Sequence, residues 1–236
     1  MIEHVRNALT GLADVSFHRG LDPLLLVQFE LEHGFALPPA HIEVLRGSNG
    51  IEAYAGYIRL FGVYSTESLD SVAWNRPEYW KHAWGTKCSL YWCFGETAWG
   101  DQYAYRLDSL RAGSDPAVYL LDGISMGSEL IATSIQAFLE EEFLRVATLP
   151  YDPMMIAARK KFGSLEPATH LVYMPPLPLG GTEDVDHLEK MPAWVAMILN
   201  GDIDRQLEEA DSEQVLKGLE PYQDENGRAR VRLLWE

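Results

Sequence analysis

Two short stretches of the 236-residue sequence carry residue types in patterns that are typical of catalytic or ligand-binding sites. The first is Gly95-x4-Gly100-Asp101, which has the glycine spacing of a phosphate-binding loop. Such a loop needs a Lys and a Ser or Thr after the second glycine, but here a carboxylate stands where the Lys belongs. The stretch also lies between two strand-like segments, so no helix N-terminus is available for an anion. It therefore predicts a tight hairpin in which glycine permits a positive φ.

The second stretch, Gly123-Ile124-Ser125-Met126-Gly127, matches the G-x-S-x-G pattern of a nucleophile elbow. A strand-like segment precedes it, and His170 or His187 follows in the order that a Ser–Asp–His triad requires. The elbow, however, needs a helix directly after the serine, and the segment SELIATS favours a strand. A serine hydrolase using Ser125 stays open as an alternative, because a triad is defined by geometry rather than by order.

Other side chains that could bind a metal ion or act as nucleophiles do not form a recognisable set. His41-Ile42-Glu43 resembles the start of a zinc-deaminase signature, but no Pro-Cys-x-x-Cys follows. The remaining histidines lack ligand spacing. The low number of cysteines, only Cys88 and Cys93, fits a reducing compartment. They flank a strand-like SLYW, and an offset of five residues puts their side chains on opposite faces, which predicts two buried, unpaired residues. The sequence thus predicts no metal, no cofactor and no catalytic residue.

Charge gives more information about partners. Thirty-five acidic residues against nineteen basic ones leave a net charge of −16, which argues against a nucleic acid held through its phosphates. The acids concentrate in two places, 183–189 and 202–225. These clusters predict either a solvated surface that maintains solubility or a docking surface for a basic protein.

Nothing in the sequence has the length and apolarity of a bilayer-spanning segment. The N-terminal stretch mixes charges into its apolar positions, unlike a secretory signal. A cytoplasmic protein without a membrane partner is expected.

Alternating short apolar segments and turns predict an α+β fold in which helices cover an antiparallel sheet. Helical spacing favours helices at 3–14 and 22–33, a short helix opened by Pro38 or Pro39, and a helix capped at Thr133–Gln136. The predicted strands are 57–64, 89–94, 101–107, 117–122 and 129–133.

The C-terminal part predicts a second, smaller α+β portion. Its expected elements are a helix at 153–162, an acidic amphipathic helix at 202–217, a turn at Asn226-Gly227 and a terminal strand. The predicted domains are therefore 1–149 and 150–236.

The order of several landmarks resembles the SUKH superfamily, which includes yeast cell-wall-synthesis regulators and many bacterial toxin-immunity proteins. The landmarks, in order over most of residues 20–145, are Gly34-x-x-Leu37-Pro38, Ser48-Asn49-Gly50, the Gly95 to Asp101 turn, Tyr119-Leu120-Leu121-Asp122 and Thr133-Ser134-Ile135-Gln136-Ala137-Phe138-Leu139.

The second half is similar to the C-terminal domain of type VI secretion immunity proteins, which pair it with a GAD-like N-terminal domain. The similar segments are 158–165, Tyr173-Met174-Pro175-Pro176-Leu177-Pro178-Leu179-Gly180-Gly181 and Asp186-His187-Leu188-Glu189-Lys190-Met191.

These resemblances imply a cytoplasmic bacterial protein that is not an enzyme and that binds and blocks a cognate toxin, often a nuclease. A non-catalytic regulatory scaffold is the alternative from another class. An acidic protein associates fast with the basic cleft of a nuclease, so the charge agrees with a toxin that has a basic surface. The predicted partner-binding residues are Trp99, Asp101, Glu183, Asp184, Asp202, Asp204, Glu208 and Glu209. Trp99, either packed or displayed at its turn, is the preferred anchor.

Overall fold

The chain folds into an antiparallel sheet with helices on both faces, which confirms the predicted α+β class. The computed structural model describes residues 2–12, 14–148, 152–211 and 214–236. The helices are α1 (Ile2–Leu9), α2 (Pro23–His33), α3 (Pro39–Gly47), α4 (Ser71–Trp74), α5 (Leu107–Arg111), α6 (Ile135–Ala137), α7 (Leu144–Thr148), α8 (Pro153–Phe162) and α9 (Ala193–Glu209). A π-helical segment, Phe138–Phe143, joins α6 to α7. The strands are β1 (Ser16–Phe17), β2 (Ile51–Ala53), β3 (Ile58–Leu60), β4 (Tyr91–Thr97), β5 (Gln102–Arg106), β6 (Val118–Leu121), β7 (Ser128–Ala132), β8 (Thr169–Tyr173), β9 (Leu188–Pro192), β10 (Leu216–Gln223) and β11 (Ala229–Trp235).

Among the described residues, strands β1 to β7 pair in chain order, and every pair is antiparallel. This is the predicted meander, extended by β1 and β2, which the sequence did not predict. Two further hairpins, β8–β9 and β10–β11, form separate two-stranded sheets.

Successive side chains of the central strands enter two different cores. Phe94 and Tyr105 belong to the large core that α2, α3 and the helices after β7 cover. Cys93 and Ala104 point to the opposite face and pack in a second core with Met197 of α9. This alternation is the period of two that a strand buried on both faces must show. Helices therefore cover both faces of the sheet.

Both cysteines are buried and unpaired, as predicted. Burial raises the pKa of the Cys88 thiol to about 12. The thiols of Cys88 and Cys93 therefore belong to the second core.

The hairpin predicted at the Gly95–Gly100 stretch is confirmed. The chain turns at Thr97–Gly100 between β4 and β5, and Gly100 has a φ of 88°. A Cβ at Gly100 would also lie 3.1 Å from Nδ1 of His170. Gly95 lies inside β4 at a bulge, where a Cβ would meet the carbonyl oxygen of Arg59 at 2.5 Å. Gly100 is required by the turn, and Gly95 by a close backbone approach.

Local capping explains where several helices begin and end. The Asp22 carboxylate accepts a hydrogen bond from the backbone N–H of Leu24 at 2.9 Å, and Gly34 ends α2 with a φ of 71°. The hydroxyl of Ser134 accepts the N–H of Ala137 at 3.2 Å at the start of α6. These starts and the helix at 153–162 agree with the sequence predictions. Helix α1 ends earlier than predicted, at Leu9.

The predicted bounds of the last helix, 202–217, are wrong. Helix α9 begins at Ala193 and ends at Glu209, and residues from Leu216 form strand β10. The acidic residues suggested an exposed helix, whereas much of α9 is buried, including Asp202 and Ile203. The turn at Asn226-Gly227 and the terminal strand are confirmed.

A buried ion-pair network joins the C-terminal part to the large sheet. Glu96 is fully buried, and its carboxylate accepts hydrogen bonds from Arg59 at 3.1 Å and from Nε2 of His170 at 2.9 Å. Arg59 also donates to the carbonyl oxygens of Glu166 at 2.9 Å and Thr169 at 3.2 Å. Burial acts to raise the pKa of Glu96, but the opposing charges of His170 and Arg59 outweigh it, and the pKa lies below its usual value.

Apolar residues from both predicted domains share the large core, among them Met155, Leu165 and Leu171 from the C-terminal part. The boundary predicted at 149/150 falls outside the described residues and stays a prediction. No helix in the described ranges has the length and apolarity needed to cross a membrane.

Candidate functional site

Asp202 lies on the buried side of α9, where its carboxylate is engaged inside the protein. Nε of Arg230 on β11 donates to both carboxylate oxygens at 2.9 Å, and Nη2 of the same guanidinium also bonds Oδ1. The backbone N–H of Val231 donates to Oδ2 at 2.7 Å. Asp202 therefore fastens β11 to α9 and is not on a surface that a partner could reach. Its acidic neighbours in the sequence made it look exposed.

Asp204 and Glu208 meet around one lysine. The ammonium of Lys87 forms ion pairs with Asp204 and, at 2.8 Å, with Glu208. Part of the acidic character of this end of α9 is thereby neutralised. Glu209 is exposed beside them.

Glu183 and Asp184 are both exposed in the segment before β9. The Asp184 carboxylate accepts the N–H of Asp186 at 2.8 Å, which orders a turn without removing its charge from solvent. The predicted contact residues that remain accessible thus lie in two places, this segment and the C-terminal end of α9.

Trp99 and Asp101 line one small cavity of about 40 Å³, which residues 176–178 also line. The ring of Trp99 is partly buried and packs against Tyr57 with ring centroids 6.2 Å apart. The Asp101 carboxylate accepts the N–H of Gly123 at 2.9 Å and the hydroxyl of Thr97 at 2.8 Å. Burial raises the pKa of Asp101, which these two hydrogen bonds partly oppose. Both residues support the hairpin, and the ring of Trp99 packs against the protein instead of projecting into solvent.

Ser125 lies in a turn between β6 and β7 rather than at a strand-to-helix elbow. Its hydroxyl donates to the Asp122 carboxylate at 2.7 Å and accepts the N–H of Gly127 at 3.2 Å. No histidine nitrogen bonds this hydroxyl in the part of the chain that the structure describes. Strand β7 follows it, as the sequence predicted. Likewise, the described residues hold no group of three or more His, Cys, Asp or Glu side chains placed to bind a metal ion.

A surface that sequence reasoning missed is the outer face of α2. Leu24, Val27 and Leu31 are 76%, 56% and 80% exposed, and their spacing places them on one side of the helix. Leu26 and Phe29 on the other side are buried in the large core. A surface helix typically confines its apolar residues to the side that faces the core, yet α2 carries apolar residues on its exposed side as well. The signal was present in the sequence PLLLVQFELEH, whose apolar residues are not confined to one side of the helix.

Acidic residues flank this outer face. Glu30 and Glu32 are exposed on α2, and the hydroxyl of Tyr64 donates to the Glu32 carboxylate at 2.5 Å. This bond, followed by one from Gln28, lowers the pKa of Glu32, which keeps the carboxylate ionised. The outer face of α2 is therefore an apolar stripe with a negatively charged border.

The family model described as "SMI1 / KNR4 family (SUKH-1)" matches residues 20–141, just over half of the chain. No curated protein matches the chain. Among solved structures, the crystal structure of Atu4351 from Agrobacterium tumefaciens is similar, with a TM-score of 0.53 and 13% sequence identity. The similarity covers 95% of this chain and 96% of that one, so the two share a fold along nearly their whole lengths.

Proposed function

The chain belongs to the SMI1 / KNR4 family (SUKH-1), and we propose from this premise that it is an immunity protein that binds a cognate toxin and occludes its active site. The family is generally associated with immunity and antitoxin-like proteins. The finer assignment, a GAD-like N-terminal domain joined to a type VI immunity C-terminal domain, is part of this proposal. So is the nature of the toxin, a nuclease with a basic surface.

The observation that carries the proposal is the apolar stripe on α2. Leu24, Val27 and Leu31 expose a continuous apolar face that the described part of the chain leaves uncovered. Exposed apolar patches bordered by polar residues mark protein–protein contact surfaces. The acidic border at Glu30 and Glu32 favours a partner whose contact surface is basic.

Exposed acidic residues outside α2 also favour a basic partner, and they act at longer range. The net charge of −16 attracts a basic toxin before contact, and Glu183, Asp184, Glu208 and Glu209 are accessible for this. Charge of this kind acts mainly on the association rate. The α2 stripe then holds the complex, since buried apolar side chains slow dissociation.

The test pairs the protein with the product of the neighbouring reading frame, expressed as a candidate toxin. Wild type should restore growth to cells that produce the toxin and should bind it in vitro. The double variant Leu24→Ser/Leu31→Ser should lose about 3 kcal/mol of binding free energy, roughly 100-fold in Kd, because two apolar side chains no longer leave water. Leu130→Ser is the matched control, since Leu130 is 55% exposed on β7, outside the stripe.

If both variants weaken toxin binding equally, or if neither weakens it, the role of α2 is contradicted. Binding without growth rescue would favour the regulatory scaffold over the immunity protein. A neutralised variant at Glu183, Asp184, Glu208 and Glu209 tests the charge separately. Its association rate should lose most of its salt dependence while its dissociation rate stays unchanged. Asp202 is left intact because its loss would release Arg230.

A further inference from the structure

A cavity of about 300 Å³ opens between the end of α2 and the segment that leads into β4. His33 and Phe35 line it from the α2 side, and Lys81, Ser89 and Trp92 from the other. Its volume lies at the lower end of the range of small-molecule sites. None of the three residues of the α2 stripe lines it, so it is a different feature from the proposed toxin-binding face.

The cavity is basic in an acidic protein. Lys81 and Arg111 provide its charge, because burial lowers the pKa of the two lining histidines, His33 and His82, and leaves them neutral at pH 7. None of its described lining residues is Asp or Glu. The whole chain carries a net charge of −16, so a pocket without carboxylates stands out from its surroundings. Its electrostatic preference is for an anion.

Lys81 is the residue at which an anion would be held. This residue is only 8% exposed, and its ammonium donates to Oδ1 of Asn75 and to the carbonyl oxygen of Tyr91, both at 2.8 Å. An ammonium has three donors, and besides these two bonds its nitrogen lies 5.7 Å from the ring centroid of Trp80, which is also a neutral partner. No carboxylate of the described residues forms an ion pair with Lys81. A buried cation with neutral partners alone is costly, and a bound anion would offset that cost.

The rest of the cavity wall is apolar and aromatic. Phe35 and Trp92 pack edge to face with centroids 5.3 Å apart, and Tyr91 and Leu107 complete this side. The indole Nε1 of Trp92 is buried and has no hydrogen-bond partner within the described ranges. Such a wall suits a flat, apolar body.

We propose that this cavity binds a small organic carboxylate with an aromatic body. Its carboxylate pairs with Lys81, with Arg111 at the exposed rim, and its ring packs against Trp92 and Phe35. The neutral amide of the same acid fits the same space but lacks the charge, so it provides a direct comparison.

The experiment uses the full chain and a panel of aryl carboxylates from benzoate to indole-3-propionate, each beside its amide, at concentrations to about 10 mM to include weak ligands. Binding is followed by amide and indole NMR shifts and by calorimetry. At least one carboxylate should shift the Trp92 indole signal and bind at least tenfold more tightly than its amide. Lys81→Met should weaken that binding at least tenfold, and Arg111→Gln several-fold.

Lys160→Met is the control, because Lys160 is exposed on α8 and does not line the cavity. It should bind as wild type does. Arg111→Gln keeps the test valid if Lys81→Met fails to fold, since Arg111 is exposed. The proposal is overturned if no carboxylate moves the Trp92 signal, if amides bind equally well, or if Arg111→Gln and Lys160→Met behave alike.

Discussion

Replacing Arg59 by Met should destabilise the whole protein, because Arg59 joins the sheet to the C-terminal part. Arg59 is 1% exposed, and its guanidinium makes three hydrogen bonds, to Glu96 and to the carbonyl oxygens of Glu166 and Thr169. Methionine fills much of the space of the side chain but provides no donor. The fully buried Glu96 would keep only His170 and Gln102 as partners.

Removing one member of a buried ion pair costs about 3–5 kcal/mol, since the other charge stays buried without its partner. The two orphaned carbonyl oxygens act in the same direction. We therefore expect the free energy of unfolding to fall by about 4 kcal/mol. With a urea m-value near 3 kcal/mol/M, the midpoint of unfolding should fall by roughly 1.3 M.

Urea unfolding followed by tryptophan fluorescence measures this change, and hydrogen exchange of the amides of β8 reports whether the C-terminal part loosens. Arg232→Met is the matched control, because Arg232 is 56% exposed and pairs with the exposed Glu220 at 3.8 Å. Such a surface pair contributes at most about 1 kcal/mol. If the two variants unfold within 1 kcal/mol of each other, the reasoning about the buried network is refuted.

Three further predictions concern residues outside that network. His41 is buried against Tyr105, and burial lowers its pKa from 6.5 to about 4, so the unfolded chain takes up the proton first as the pH falls. Wild type should lose about 3 kcal/mol more stability than His41→Gln between pH 6.5 and pH 4, measured by urea unfolding, and parallel pH profiles would contradict this. Gly100→Val should lower the melting temperature by several degrees, because φ at this residue is 88° and a Cβ would lie 3.1 Å from His170. An unchanged melting temperature would show that the turn does not need glycine. Wild type and Ser125→Ala should be indistinguishable in ester hydrolysis, and an activity that Ser125→Ala abolishes would restore the hydrolase alternative.

Local chemistry was sufficient to predict much of the secondary structure. Asp22-Pro23 and Gly34 mark the ends of α2, and Asn226-Gly227 marks the last hairpin, since caps and turns depend on residues that are neighbours in the chain. The hairpin at Gly100 was predicted for the same reason. The family was predictable as well, because the landmarks of residues 20–145 include the SUKH-1 match over 20–141.

Tertiary structure alone decided which charges and apolar side chains are available to a partner. The sequence does not distinguish Asp202, which Arg230 holds inside the protein, from the exposed Glu209 seven residues later. The sequence also predicted the last helix at 202–217, with its acidic side chains exposed to solvent. That prediction could not include the distant strand that brings an arginine to one of those acids. The apolar stripe on α2 shows the opposite case, in which apolar residues that the sequence suggests are buried lie at the surface. Leu24 and Leu26 look equivalent in the sequence, and only the packing of the sheet on one side of the helix buries one and leaves the other exposed.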